Sequence, residues 1–142
     1  MNLQPCTHKR PSRCTILLVE DEPFVREATR SILESAGFEV LSAEDAASAL
    51  KAYEERRSID LVMTDMVLPG RTGQQLGQDL RQHCPELSVL VTSGYGNVEY
   101  DTEDPTARTY FLAKPYSRRS LLEKIETILS AAPLRPVARQ VS

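Results

Sequence analysis

The chain has 142 residues, 41% hydrophobic and 26% charged, which suits one soluble domain with a core of its own. A formal net charge of −3 offers no basic surface for nucleic acid, and no apolar run approaches the ~20 residues that cross a bilayer. Met1 to Cys14 lacks the apolar stretch of a secretion signal, so the cytoplasm is the expected compartment. Cys6, Cys14 and Cys84 are an odd count without paired spacing, which points to thiols rather than a disulfide framework. His83 beside Cys84 is a weak metal signal, because neighbours on a helix point in different directions.

Residues 1–13, with Pro5, Pro11, Lys9, Arg10 and Arg13, read as a flexible leader. Thr15 to Val19 is a continuous β-rich apolar run, as expected of a buried parallel strand. Pro23 suits the first turn of a helix whose broad apolar face holds Phe24, Val25, Ala28, Ile32 and Leu33, with Gly37 as its stop. Phe38 to Leu41 is a second strand, and Glu44 to about Arg57 a second helix with Ala47, Leu50 and Tyr53 inward. Leu61 to Thr64 is a third strand leading into Asp65, and Leu68-Pro69-Gly70 makes a turn. Gly73 to about His83 is a third helix with Leu76 and Leu80 four apart, and Pro85 follows it. Ser88 to Thr92 and Thr109 to Ala113 are the fourth and fifth strands. Between them, Asn97 to Thr106 carries four acidic residues and Pro105 with few apolar anchors, so a short or irregular fourth helix is expected. Ser117 can cap a last helix bearing Leu121, Leu122, Ile125, Ile128 and Leu129. Residues 14–130 then form the domain, and 131–142, with Pro133 and Pro136, a flexible tail.

Strands alternating with helices predict an α/β fold, a five-stranded parallel sheet with helices on both faces. In such sheets sites form at the carboxyl ends of the strands. There the chain places Glu20-Asp21-Glu22 after the first strand, Asp65 after the third, Thr92-Ser93-Gly94 after the fourth and Lys114-Pro115 after the fifth. Each has an ordinary reading alone: acidic residues opening a helix, a turn residue, a turn, a strand-to-helix joint. All four fall at the same end of one predicted sheet, and if strands one and three are neighbours the acidic pair and Asp65 converge on one pocket. Three carboxylates at one spot repel one another, and a hard divalent cation such as Mg²⁺ removes the repulsion. Lys114 adds a positive charge and Ser93 a hydroxyl donor.

The segments Ile16-Leu-Leu-Val-Glu-Asp-Glu22, Asp60-Leu-Val-Met-Thr-Asp-Met-Val-Leu-Pro-Gly70, Val89-Leu-Val-Thr-Ser-Gly-Tyr-Gly96 and Phe111-Leu-Ala-Lys-Pro-Tyr116 resemble the receiver family of two-component signalling. The resemblance covers about residues 14–130 and implies strand order 2-1-3-4-5. It implies that Asp65 takes a phosphoryl group from a histidine kinase or histidine phosphotransfer protein. It gives Asp21 and Glu20 the metal, Asp21 the more directly, with the backbone carbonyl of Val67 as a further ligand. Lys114 would pair with the phosphoryl oxygens, and Phe111 would turn inward on activation. Ser93 would be the switch hydroxyl, with Thr92 as its rival. Val67 and Tyr95 stand at positions expected to shield the acyl phosphate from water.

The Ser-Gly-Tyr and Lys-Pro-Tyr turns look most like receivers attached to hybrid sensor kinases. Only twelve residues follow position 130, so output is expected to pass through another protein, by contact or by phosphorelay. The chain itself is not expected to be an enzyme beyond assisting its own phosphorylation and dephosphorylation. A haloacid-dehalogenase-type phosphatase would carry an aspartate where Val67 stands, and a flavodoxin-like carrier would have a Ser/Thr/Gly-rich loop where Glu20-Asp21-Glu22 stands. A receiver-shaped scaffold that no longer uses phosphorylation is the remaining alternative.

Overall fold

A computed structural model describes residues 14–56, 58–94 and 108–131. The expected leader, the segment 97–106 expected to hold a short or irregular helix, Tyr95 and the residues from 132 onward lie outside the described residues.

The elements follow one another as β1 (Thr15–Val19), α1 (Pro23–Ser35), β2 (Glu39–Ala43), α2 (Ala46–Glu55), β3 (Leu61–Asp65), the two-residue strands β4 (Val67–Leu68) and β5 (Arg71–Thr72), α3 (Gly73–Arg81), β6 (Ser88–Ser93), β7 (Thr109–Ala113) and α4 (Arg118–Ala131). Five of the strands form a parallel sheet in the order β2-β1-β3-β6-β7. This is the expected 2-1-3-4-5 order, counting only those five strands.

Both faces of the sheet are covered, which is why its strands are apolar at consecutive positions. Along β1, Leu17 and Val19 face α2 and α3, and Ile16 and Leu18 face α1 and α4. The first face buries Ala46, Ala49 and Tyr53 of α2 with Leu76 and Leu80 of α3. The second buries Leu33 of α1 with Leu121, Ile125 and Ile128 of α4. Each such aliphatic side chain contributes roughly 1.5–3 kcal/mol by leaving water, so the two layers hold the sheet between them.

Local signals set the helix ends. Asp45 and Ser48 form a capping box at α2, and Thr72 and Gln75 another at α3. Ser117 and Ser120 exchange the same pair of bonds ahead of α4. Gly37 follows α1 at φ +101°, a left-handed position that glycine takes without strain.

Several expectations need correction. The second strand runs two residues further than Leu41, to Ala43, because it pairs with β1 along its full length, from Thr15 beside Glu39 to Val19 beside Ala43. On α2 Ala46, Ala49 and Tyr53 are buried and Leu50 packs partly buried against the core as expected, while Ala47 is exposed; the helix starts at Ala46, capped by Asp45. On α1 the buried residues are Thr29 and Leu33, and Phe24 is 86% exposed. The last helix includes Ala131, the first residue that composition assigns to the tail. The turn at Pro69-Gly70 closes a small antiparallel hairpin, β4 to β5, with Gly70 at φ +76°.

Cys84 is a thiol buried in the core, and the His83 ring packs tilted on Tyr53 at 5.7 Å between centroids. Among the described residues, no helix is long and apolar enough to cross a membrane.

Candidate functional site

The site is assembled by backbone bonds that prolong the strands past their last paired residues. Glu20 N–H donates to the Ala43 carbonyl at 3.0 Å, which carries β1 one residue further and buries the Glu20 side chain. Met66 N–H donates to the Thr92 carbonyl at 2.8 Å, fixing the backbone on the far side of Asp65. Lys114 N–H donates to the Ser93 carbonyl at 2.7 Å. The ends of β1, β3 and β7 are thereby each fixed to a neighbouring strand, and their side chains meet at one end of the sheet.

Lys114 Nζ lies 3.0 Å from Asp65 Oδ1 and 3.3 Å from Glu20 Oε1. Carboxylate oxygens of Glu20, Asp21 and Asp65 all lie within 4.8 Å of one another. Their exposure is graded: Glu20 is buried, Asp65 is half-buried, and Asp21 faces solvent. Glu20 also accepts from the Glu22 backbone N–H at 3.2 Å. Burial pushes the Glu20 carboxyl above its ordinary value; the Glu22 N–H and Lys114 pull the other way, and Asp65 adds to the rise. Burial would lower the Lys114 ammonium, but its bonds and charges with Asp65, then Glu20, outweigh this and hold it above its ordinary value.

The donor set therefore carries three carboxylates against one ammonium, a surplus of negative charge. A hard divalent cation with mostly oxygen ligands and open water positions fits that surplus. Among the described residues this is the one cluster of three or more metal-capable side chains. Val67 follows in β4, where it pairs with Thr72, and its side chain is 64% exposed.

Thr92 and Ser93 are both buried at the end of β6. They point to opposite faces of the sheet. Val91 and Phe111 pair in register and share the α2/α3 face, so Ser93, two residues on, lies on the Phe111 side. Thr92 lies on the other side with Leu90, its hydroxyl 3.5 Å from the Thr64 carbonyl. Phe111 is itself buried in the core.

Four further residues shape the site, none of them assigned a role there from the sequence. A Cβ at Gly73 would lie 2.3 Å from the Asp65 carbonyl oxygen, so only glycine lets α3 begin this close to the strand that presents Asp65. Arg26 reaches back from α1 and donates to the Glu20 carbonyl at 2.8 Å. Its signal was a cation near a helix N-terminus, where the dipole disfavours it without an acceptor. Thr29 and Tyr116 share a hydrogen bond at 2.9 Å. A threonine among apolar residues was the available sign, but its partner is 87 positions away.

Comparison with known proteins gives the same answer as the geometry. The family model described as the response regulator receiver domain matches residues 16–126. The chain is 34% identical over 117 residues to the sensor kinase CckA of Brucella abortus, with 81% of this chain and 12% of that protein covered. It is 31% identical over 118 residues to the response regulator receiver protein CpdR of the same organism, with 82% and 98% covered. The crystal structure of the receiver domain of NtrX from Brucella abortus superposes with a TM-score of 0.73 at 35% identity, covering 81% of this chain and 98% of that one. With an acidic cluster, a strand-end aspartate and a facing lysine on a 2-1-3-4-5 sheet, and with the family match over most of its length, the chain belongs to the response-regulator receiver family of two-component signalling.

Proposed function

We propose that this receiver is switched by phosphorylation of Asp65, with Mg²⁺ as the metal and a histidine kinase or histidine phosphotransfer protein as the donor. The observation that supports it most directly is the Lys114 ammonium, 3.0 Å from Asp65, beside a carboxylate cluster with charge to spare. Glu20, Asp21 and Asp65 would hold the ion together with the Val67 carbonyl. When bound, it would neutralise charge on the transferring phosphoryl group.

In the transfer an Asp65 carboxylate oxygen attacks phosphorus, a P–O bond forms as the P–N bond of phosphohistidine breaks, and the imidazole leaves. Phosphoryl transfer depends on positioning and charge, and Lys114 supplies both. The acyl phosphate adds about two negative charges and new acceptor oxygens. Lys114 would exchange its carboxylate partners for these, and the Ser93 hydroxyl would move toward them. Ser93 is preferred to Thr92 because it shares a sheet face with Phe111, so one motion could link phosphate to the aromatic ring. Phosphorylation would thereby bias an equilibrium between two surfaces.

On this reading the chain is a cytoplasmic switch and not an enzyme with a separate substrate. Its output is protein contact with a downstream partner, or phosphorelay. Incubation with Mg²⁺ and acetyl phosphate should add one phosphoryl group to the intact mass of the wild type and none to Asp65→Asn. If neither acetyl phosphate nor beryllofluoride produces an Mg²⁺-dependent change, the chain is a scaffold of receiver shape.

A further inference from the structure

Lys114 is a long, flexible side chain whose usefulness depends on where its backbone is held. One anchor is the bond from its own N–H to the Ser93 carbonyl, at 2.7 Å. The second lies two residues on. The Tyr116 hydroxyl sits 2.9 Å from Thr29 Oγ1, and Thr29, on the inner side of α1, is buried. The same helix begins directly after Glu20-Asp21-Glu22, and its Arg26 holds the Glu20 carbonyl. A closed ring results: Lys114 to Glu20, Glu20 through Arg26 to α1, α1 through Thr29 to Tyr116, and back along the chain to Lys114.

Packing alone does not require this hydroxyl. Tyr116 lines an apolar groove of about 600 Å³ with Phe24, Val25, Ala28, Ile32 and Pro115, and a phenylalanine would fill the same place. The phenol group instead meets a polar side chain on a face otherwise completed by Leu33. Burial keeps the phenol above its ordinary value, so it stays protonated and able to donate at neutral pH.

We propose that the Tyr116–Thr29 hydrogen bond is a positioning device for Lys114, tying the loop after β7 to α1 and thereby setting the reach of the ammonium to a phosphoryl group on Asp65. Tyr116 and Thr29 touch neither the phosphoryl donor nor Asp65. They act through Lys114. The inference rests on the function proposed above and adds two residues to it.

The test is calorimetric titration of the Mg²⁺-loaded full chain with beryllofluoride, which stands in for the phosphoryl group on Asp65. A wild-type response that Asp65→Asn abolishes supports the site itself. Tyr116→Phe and Thr29→Val should each weaken binding about three- to tenfold, the range that one lost hydrogen bond explains. The double variant should be no worse than either single one, and Thr29→Ser should bind like the wild type. In a Lys114→Ala background, Tyr116→Phe should have no further effect, whereas general loosening of the fold would still weaken binding there. Wild-type affinity in Tyr116→Phe, or an undiminished effect without Lys114, would overturn the inference and leave the site intact. No response in the wild type would remove the site reading and the inference together.

Discussion

Helices α1 and α2 stand in equivalent places, each following a strand of the same sheet, yet they are used differently. α2 is self-contained: Asp45 and Ser48 cap it, and Ala46, Ala49 and Tyr53 bury its inner face. α1 buries only Thr29 and Leu33. Its other groups are turned to the site: Glu22 caps it from the acidic loop, Arg26 holds Glu20, and Thr29 holds Tyr116. Phe24, Val25 and Ala28 line the groove beside Lys114 instead of the core, and Ile32 lines it while packing against the core edge. Leaving Phe24 86% exposed forgoes burial worth roughly 1.5–3 kcal/mol. The contrast teaches that amphipathicity alone does not tell a structural helix from one that serves a site.

The largest expected effect lies in α2. Tyr53→Ala should cost about 3–5 kcal/mol in urea unfolding, because a completely buried aromatic ring leaves a cavity. A loss below about 1 kcal/mol would mean that α2 is not the structural partner described here.

The two loops also carry carboxylates shifted in opposite directions. Glu20 is raised, chiefly by burial, and Asp45 is lowered, chiefly by the Ser48 backbone N–H. Ionised Glu20 therefore opposes folding of the metal-free protein. That penalty grows as pH rises from the ordinary carboxylate range through the raised folded value, and is complete above it. Metal-free Glu20→Gln should accordingly be more stable than the wild type at neutral pH in urea unfolding. The gain should fade on acidification, and Mg²⁺ should stabilise the variant less than it stabilises the wild type. The Asp45 cap has the opposite sign: its contribution is present above the ordinary carboxylate range and is lost as pH falls through the lowered value. A metal-free Glu20→Gln less stable than the wild type at neutral pH would break this opposition.

A smaller effect separates the polar groups of the two helices. Arg26→Met should weaken Mg²⁺ binding about three- to tenfold by releasing the Glu20 carbonyl, measured by calorimetry. Asp45→Ala should reduce thermal stability and leave Mg²⁺ affinity unchanged. Equal effects on the metal would erase the distinction. Smallest of all, Phe24→Ala should stay within about 0.5 kcal/mol of the wild type in urea unfolding, as expected for an exposed side chain.

Much of this was legible in the sequence, because strands buried on both faces are apolar at every position and helix caps are local. Thr15–Val19 and Thr109–Ala113 matched their expected bounds, and Glu20, Asp21, Asp65 and Lys114 stood at the strand ends where the structure brings them together. The same local reasoning misjudged the inner face of α2 by one residue at Ala47, and missed strands of two residues, which are too short to show a period.

By itself, then, the sequence determined the alternation of strands and helices, the chemistry at the strand ends and the family to which that chemistry belongs. Those signals are contained in short windows or in the order of four segments. Tertiary structure alone decided that α1 turns Thr29 inward and Phe24 outward, that Gly73 meets the Asp65 carbonyl, and that Tyr116 finds Thr29 87 residues away. Those outcomes depend on how helices sit on the sheet, and no local periodicity encodes a distance between residues that meet only when the chain has folded.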